Sequence, residues 1–453
     1  MTNIDRRTLL KVMGATSLTP LVIGGAPSRA AAAEGAELKP TSTETIYFRG
    51  WPFQPEVVAD NVNRYNREQA GHVDYQTVTH GDYPTLMEKS LIAGDKLDII
   101  YGNPPTAVRF LEAGWIAPAD DVPNIEQIKA DMYDNARNAF TYKDKLLGLS
   151  YFLAVRGLVV VNTDKQKEFG VDGAQPKNWD EFYAQVLDLA KKGGKDLYMP
   201  HWFNEFYGIS WAFIWEVINR GGAQIDPKTF APQLTVDGAG GKTLAAWKAI
   251  YNAGLVKEEV LSFNEAAIVD AFSSGRYLYS TQASYNLAVF NDPTKSKVAG
   301  KTRFLPYQGQ SWGLLDSAMY IKSARKRSAA LDVDVARFQS WYGYKDQTGK
   351  VAVGQRWAEN AMLFSAYKTV MESEATKAAF KKNLVAEGDF DALLAVYSKA
   401  PHPDTWKTIY AEEYNTYLRN RLGQFLRNDE SVEKVIGEIN AQIASLNKKY
   451  KLG

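Results

Sequence analysis

The chain carries 25 tyrosines, 20 phenylalanines and 11 tryptophans, 12% of its 453 residues. Several of them stand where a flat ligand can lie against a ring. Trp51 follows Arg49-Gly50 and precedes Pro52. The run His201-Trp202-Phe203-Asn204-Glu205-Phe206-Tyr207 is the densest mixture of aromatic and polar side chains, with Trp202 as a stacking platform and Asn204 or Glu205 as hydrogen-bonding neighbours. Asn103, ahead of Pro104-Pro105, both donates and accepts, which suits a ligand hydroxyl. Trp312-Gly313 lies in a loop after Gly309. These residue types serve binding: rings cover apolar faces, and amides pair with polar groups at their edges. Trp211 and Trp215, four apart, read instead as a helix stripe turned to a core. Trp341, Tyr342 and Trp357 read as packing in a helical tail.

Bond-making chemistry has less support. Cysteine is absent, which excludes a thiolate nucleophile, a thiolate zinc site and a disulfide framework. The histidines, His72, His80, His201 and His402, show no helical metal-pair spacing. Gly238-Ala239-Gly240-Gly241-Lys242-Thr243 ends like a phosphate loop, but the first glycine that loop needs would fall at Val236. A flexible turn before a helix is the plainer reading. No catalytic residue, metal or cofactor is expected.

The elements that must position these residues follow a pattern. Residues 45–48 make a short strand and 55–67 a helix. Residues 72–79 alternate like a second strand, and 82–93 read helical, closed by Gly94. A third strand covers 97–101. This β-α-β-α-β order builds a mostly parallel sheet covered by helices, and such sheets bind ligands beyond the carboxyl ends of their strands. That rule points at Trp51 and Asn103. Further on, 158–161 is a buried-strand run, 179–191 a helix capped by Asn178, and 211–218 a very apolar helix. Helices are expected over 242–252 and 265–272, with a strand near 277–280. From about 324 onward nearly everything reads helical. The fold class is α/β.

Composition agrees with a globular protein: 45% hydrophobic and 23% charged, with 53 basic against 52 acidic residues. The balance of +1 gives no electrostatic case for nucleic acid. Residues 1–33 read as a removable export signal, with Arg6-Arg7 before a weakly apolar run and Ala31-Ala32-Ala33 as a cleavage site. The phrase Asp5-Arg6-Arg7-Thr8-Leu9-Leu10-Lys11 resembles the twin-arginine consensus, which carries proteins already folded. Its removal leaves 49 basic and 51 acidic residues. A soluble periplasmic protein without a lipid anchor is expected.

Several phrases, in order, resemble the family-1 extracellular solute-binding proteins, the carbohydrate-capturing components of bacterial ABC importers. They cover residues 91–100, 110–121, 144–151, 160–164, 176–182, 271–276 and 298–306. Leu97 replaces a usual proline, the 144–151 phrase lacks another, and Asn178 stands for a usual threonine. The resemblance implies two α/β lobes hinged around a cleft. By that analogy the crossovers fall near 149–151, 280–282 and 321–323. Lobe 1 would hold 42–149 and 281–322, and lobe 2 would hold 150–280 and 323–453, including the helical C-terminal portion.

The same resemblance implies a small-molecule ligand, a carbohydrate, delivered by a monomer to permease subunits at the inner membrane. A sugar needs rings to stack on and polar groups for its hydroxyls. Trp51, Tyr83, Asn103, Trp202, Asn204, Trp312 and Gly313 are the candidates from position. Tyr151 at the first crossover and Tyr285 after the second come by analogy. An acidic sugar would call for Arg49 or Arg156. Two other functions share the location. A secreted glycosidase or lyase needs two carboxylates set across the cleft, and no motif supplies them. A binding protein that serves a chemoreceptor differs only in its partner.

Overall fold

The computed structural model describes residues 39–79, 83–205 and 207–452. The expected export segment, residues 1–33, and His80 lie outside the described residues. Eleven strands run in chain order: β1 (Ile46–Gly50), β2 (Val73–Thr77), β3 (Ile99–Gly102), β4 (Ile116–Ala117), β5 (Thr141–Tyr142), β6 (Lys145–Leu146), β7 (Leu149–Asn162), β8 (Tyr198–Met199), β9 (Tyr279–Ala283), β10 (Thr302–Phe304) and β11 (Leu314–Ser323). The main sheet has the order β2-β1-β3-β11-β7-β9-β8, with β10 on β7 and β4 on β11; β5 and β6 form a separate pair. Both β2 and β3 lie parallel to β1, as the alternation of strands and helices requires. The helix between β1 and β2, Pro55–Gln69, starts on a proline, whose missing N–H costs nothing in a first turn. Asn178 caps Trp179–Lys191 as expected, its side chain accepting the Glu181 N–H at 2.9 Å.

The spine of the sheet is β7. All but one of its residues are buried, the signature of a strand covered on both faces. It changes partners midway. Residues 149–156 pair with β11, and 156–161 pair with β9. The exchange falls at a register shift around Gly157, whose φ is +90°. Beside it Gly313, φ +87°, directly precedes β11, and a Cβ there would lie 2.2 Å from the Arg156 carbonyl oxygen. The Leu315 N–H donates to the Pro401 carbonyl at 2.8 Å. Three segments therefore meet at one place: 156–157, 313–315 and 401.

Two hydrophobic cores flank this meeting point. The first gathers residues from Ile46 to Val155 with Leu315 to Ala400. The second gathers Val171 to Ile268 with Trp406 to Leu446. Between them, Phe272, Leu287, Phe290, Val298 and Phe304 fall in the first core with Leu158 and Val160, whereas Leu278 and Tyr279 fall in the second with Val159 and Val161; β9 and β10 pair with the far half of β7. The helical tail was expected to pack with the second lobe throughout. Instead Leu331–Ala400 packs into the first core, and only the part from Trp406 enters the second. Phe48 shows why: Tyr101 and Tyr342 both meet its ring edge-on at 5.4 Å. Tyr342 belongs to the helix Ala329–Gly343, so the tail completes the aromatic shell of the first strand. A buried aromatic of this kind contributes about 1.5–3 kcal/mol.

The second half of the molecule also buries ionisable groups. His201 and His402 are held near pKa 3, first by loss of solvent and then by Arg156 and Lys407 respectively. Burial raises Glu216 to about 7, against the pull of Arg220 and the Tyr183 and Trp247 donors on Oε1.

Two predictions follow from these features. Gly313→Ala should lose about 1–3 kcal/mol in urea unfolding, because a positive φ and a backbone clash coincide there; a variant as stable as the parent would show the crossing to be soft. The histidines take up protons only on unfolding, so their stability is complete above pH 6.5 and is lost as pH falls toward 3. Glu216 runs the other way: folded, it binds its proton below about pH 7, and the unfolded carboxyl waits until about 4.5. Between pH 7 and 4.5, Glu216→Gln should therefore lose stability more steeply than the parent, and His402→Gln less steeply. Each change is on the order of 1 kcal/mol per pH unit, and equal slopes in all three proteins would refute the assignments.

Candidate functional site

The ends of β1 and β3 build the first part of the site. Trp51, directly after β1, is half-buried, its ring 4.8 Å from Tyr101, 5.3 Å from Tyr83 and 5.8 Å from Tyr151. Tyr101 and Tyr151 stack at 4.4 Å. Three of the expected residues, Trp51, Tyr83 and Tyr151, are thus brought into one aromatic cluster. Tyr83 is tied up within it. Its hydroxyl accepts the Tyr101 N–H at 2.8 Å and lies 3.0 Å from the Arg49 carbonyl, which it can donate to. It bolts β1 to β3 and has little left for a ligand. Asn103 caps the helix Pro104–Glu112, its Oδ1 accepting the Thr106 N–H at 3.0 Å. That helix packs against the turn Asp404–Lys407 and the helix Ala411–Arg427, so it links the first core to the second.

The floor of the junction is ionic. Arg156, 5% exposed, reaches Glu265 at 2.7 Å and Asp316 at 3.0 Å. The hydroxyls of Tyr207 and Tyr285 both donate to Glu265, at 2.7 and 2.8 Å. Their rings lie 5.0 and 5.4 Å from the guanidinium. Burial alone would push Glu265 up, but Arg156, His201 and the two hydroxyls outweigh it and hold the carboxyl at about 2. For Asp316 burial wins over Arg156, and its pKa is raised. One guanidinium thus serves two carboxylates. Arg49 is likewise occupied, by Asp74 at 3.1 Å. Neither arginine offers a free edge to an anionic ligand.

From Tyr207 an aromatic wall continues: Trp211 at 4.7 Å, then Trp406 at 4.5 Å from Trp211, then the His402 ring edge-on to Trp406 at 5.5 Å. Trp211 reads as a core stripe from its spacing and is indeed buried in the second core; Trp406, which nothing in the sequence marks out, is buried beside it. The histidine-proline break at 401–403 was visible, but its meeting with β11 was not.

The remaining expected residues are placed elsewhere. Trp202 is buried in the second core with its ring 4.8 Å from Trp247. Trp312 is fully buried against Trp179 at 5.0 Å, its Nε1–H donating to the Pro306 carbonyl. Both are core residues, because each loop folds back over a neighbouring helix. Asn204 is exposed, and its backbone N–H binds the Phe263 carbonyl at 3.1 Å. Gly313 belongs to the crossing. Its N–H donates to Asn219 Oδ1 and its carbonyl accepts from Asn219 Nδ2, both at 2.9 Å. Among the described residues no group of three His, Asp or Glu is placed to hold a metal ion, and no helix is long and apolar enough to cross a membrane.

Comparison with known proteins bears on the whole architecture. No curated protein matches by sequence. Solved structures match over most of their length. Maltose-bound MalE3 of T. maritima has a TM-score of 0.69 at 16% identity, covering 89% of this chain and 99% of that one. A mannitol-bound ABC transporter solute-binding protein of Agrobacterium vitis S4 has 0.68 at 14%, covering 90% and 99%. The sugar-binding protein MalE of Xanthomonas citri has 0.71 at 15%, covering 90% and 98%. At these identities the likeness is one of fold, the two-lobed architecture of periplasmic binding proteins. The profile of a sequence family, described as bacterial extracellular solute-binding protein, matches residues 52–326. The α/β sheet, the paired cores and that match over more than half the sequence agree, and the chain belongs to the bacterial extracellular solute-binding proteins.

Proposed function

We propose that this protein captures an uncharged polyhydroxylated solute, a mono- or oligosaccharide or a polyol, at the junction of its two cores and delivers it to an ABC permease. The observation that carries the reading is the saturation of Arg156 by Glu265 and Asp316 beside aromatic rings. Such a floor leaves an anion no free donor edge, and rings supply the stacking faces for a polyhydroxylated ligand. Two of the structural relatives are bound to maltose and to mannitol, in keeping with the same ligand class here. The carboxylates share one guanidinium, which suits binding and not acid–base work, so no turnover is expected.

On this reading, with β9 and β10 assigned by their pairing with the far half of β7 and not by core membership, lobe 1 comprises 42–156 and 314–400, and lobe 2 comprises 157–313 and 406–452. The segments 156–157, 313–315 and 401–405 form the hinge. On this reading the protein works as a monomer. Export by the twin-arginine route would place it in the periplasm.

Thermal unfolding of the chain from residue 34 onward, against neutral sugars, polyols, amino sugars and sugar acids, tests this. A neutral ligand at 100 times its Kd should add about 2.7 kcal/mol. Trp51→Ala should weaken that ligand about tenfold, a loss of about 1.4 kcal/mol. Response to sugar acids alone, or to no carbohydrate or polyol, would overturn the ligand class. Chemical conversion of a stabilising ligand would overturn the binding-only role.

A further inference from the structure

Away from the junction, a cavity of about 220 Å³ opens where the helices Trp179–Lys191 and Ala239–Asn252 begin. None of its lining residues belongs to the ligand site proposed above. Arg220 dominates it. Its side chain is 5% exposed, and its Nη1 is taken by Asp180. Its Nε and Nη2 have no hydrogen-bond partner among the described residues. Those two atoms form one edge of the guanidinium, the fork that grips two oxygens of a single anion. A buried donor edge left unpaired is costly unless something fills it. Gln310 also lines the cavity, and its Nε2 is buried and unpartnered as well. Lys242, exposed on the first turn of its helix, adds a second cation.

The helix Ala239–Asn252 contributes its positive end. Its N-cap is Gly238, which has no side chain to cap the first-turn amides. The glycines themselves have another cause. A Cβ at Gly241 would meet the Val236 carbonyl at 1.8 Å, and one at Gly240 would meet Leu234 at 2.9 Å, so they are set by close packing. A nucleotide loop is not built here. The opposing carboxyls are Asp180, whose side chain is 69% exposed and already engaged, and the buried Glu216, which feels the pull of Arg220 and which burial raises to about 7.

We propose that this cavity binds a small oxyanion, gripped side-on by the Nε and Nη2 of Arg220, with Gln310 Nε2 and Lys242 Nζ completing the shell. Phosphate, sulfate and small carboxylates share this chemistry, and separate titrations distinguish them. Arg220 directly follows Asn219, the residue that clamps Gly313, so occupancy should also raise the melting temperature.

The test is calorimetric titration of the protein with inorganic phosphate, sulfate and citrate at constant ionic strength, with melting curves in parallel. A saturable site with a Kd at or below about 1 mM is expected for at least one of them. Arg220→Gln should weaken it at least tenfold. Lys242→Gln, at an exposed position, should weaken it severalfold and serves if the Arg220 variant fails to fold. Both variants should keep the parent's response to its carbohydrate or polyol, so this proposal stands or falls apart from the one above. No saturable binding of any of the three anions, or affinity unchanged by Lys242→Gln in a protein that binds, would overturn it.

Discussion

Arg156 acts on the structure twice. Its carbonyl oxygen leaves no room for a side chain at 313, where a Cβ would sit 2.2 Å away. Its guanidinium gathers Glu265 from a helix start and Asp316 from β11. The backbone contact fixes how closely the second crossing passes the first, and the ionic contact fixes their rotation. Such a buried network adds little net stability, because desolvation of three charges consumes most of the Coulomb gain. Its cost appears when it is broken, since loss of the arginine strands two carboxylates away from water. That asymmetry makes it a device for holding one arrangement.

The crossing matters because one strand serves both halves. β7 is buried along nearly its whole length, and its partners change only at Gly157, the single point where its ladder shifts register toward β9. On the proposed two-lobe reading, rotation about that point would leave β11 on one side and β9, apart from Ala283, on the other. Glycines with φ of +90° and +87° at 157 and 313 absorb backbone angles that other residues tolerate poorly. The cores themselves are dense aromatic assemblies and transmit such a rotation as rigid bodies. On that reading, the packing of all the other residues would concentrate hinged motion in a few.

The elements were legible where a local period decides them. The alternation in β1 and β2, the glycine after 93 and the cap at Asn178 each state a structure within a few residues. Lobe membership was not legible in the same way. A helix such as Ala329–Gly343 has one apolar face, and that face is equally apolar toward either core. Distant rings such as Phe48 and Tyr65, nearly 300 positions away, decide which it meets. The tryptophans divide for the same reason. Trp51 stays half-buried because it follows a strand end, whereas Trp312 is covered by Trp179 and Trp202 by Trp247. A loop tryptophan carries no mark of the helix that will cover it. Trp406 sits in a turn with no period at all, yet it meets Trp211 at 4.5 Å.

Charge gives the clearest contrast between what two similar residues do. Arg156 and Arg220 are both buried guanidiniums in the same chain. Arg156 spends its Nη1 on Glu265 and its Nη2 on Asp316, with Nε also directed at Asp316. No edge remains, so an anionic ligand beside it finds no free donor and two carboxyls already in place. Arg220 spends Nη1 alone and keeps the bidentate edge unpaired, beside a second cation and an uncapped helix start. The same side chain thus argues for a neutral ligand at the junction and for an anion in the cavity. What separates the two readings is the number of acceptors the fold has already delivered, two carboxylates in one place and one in the other.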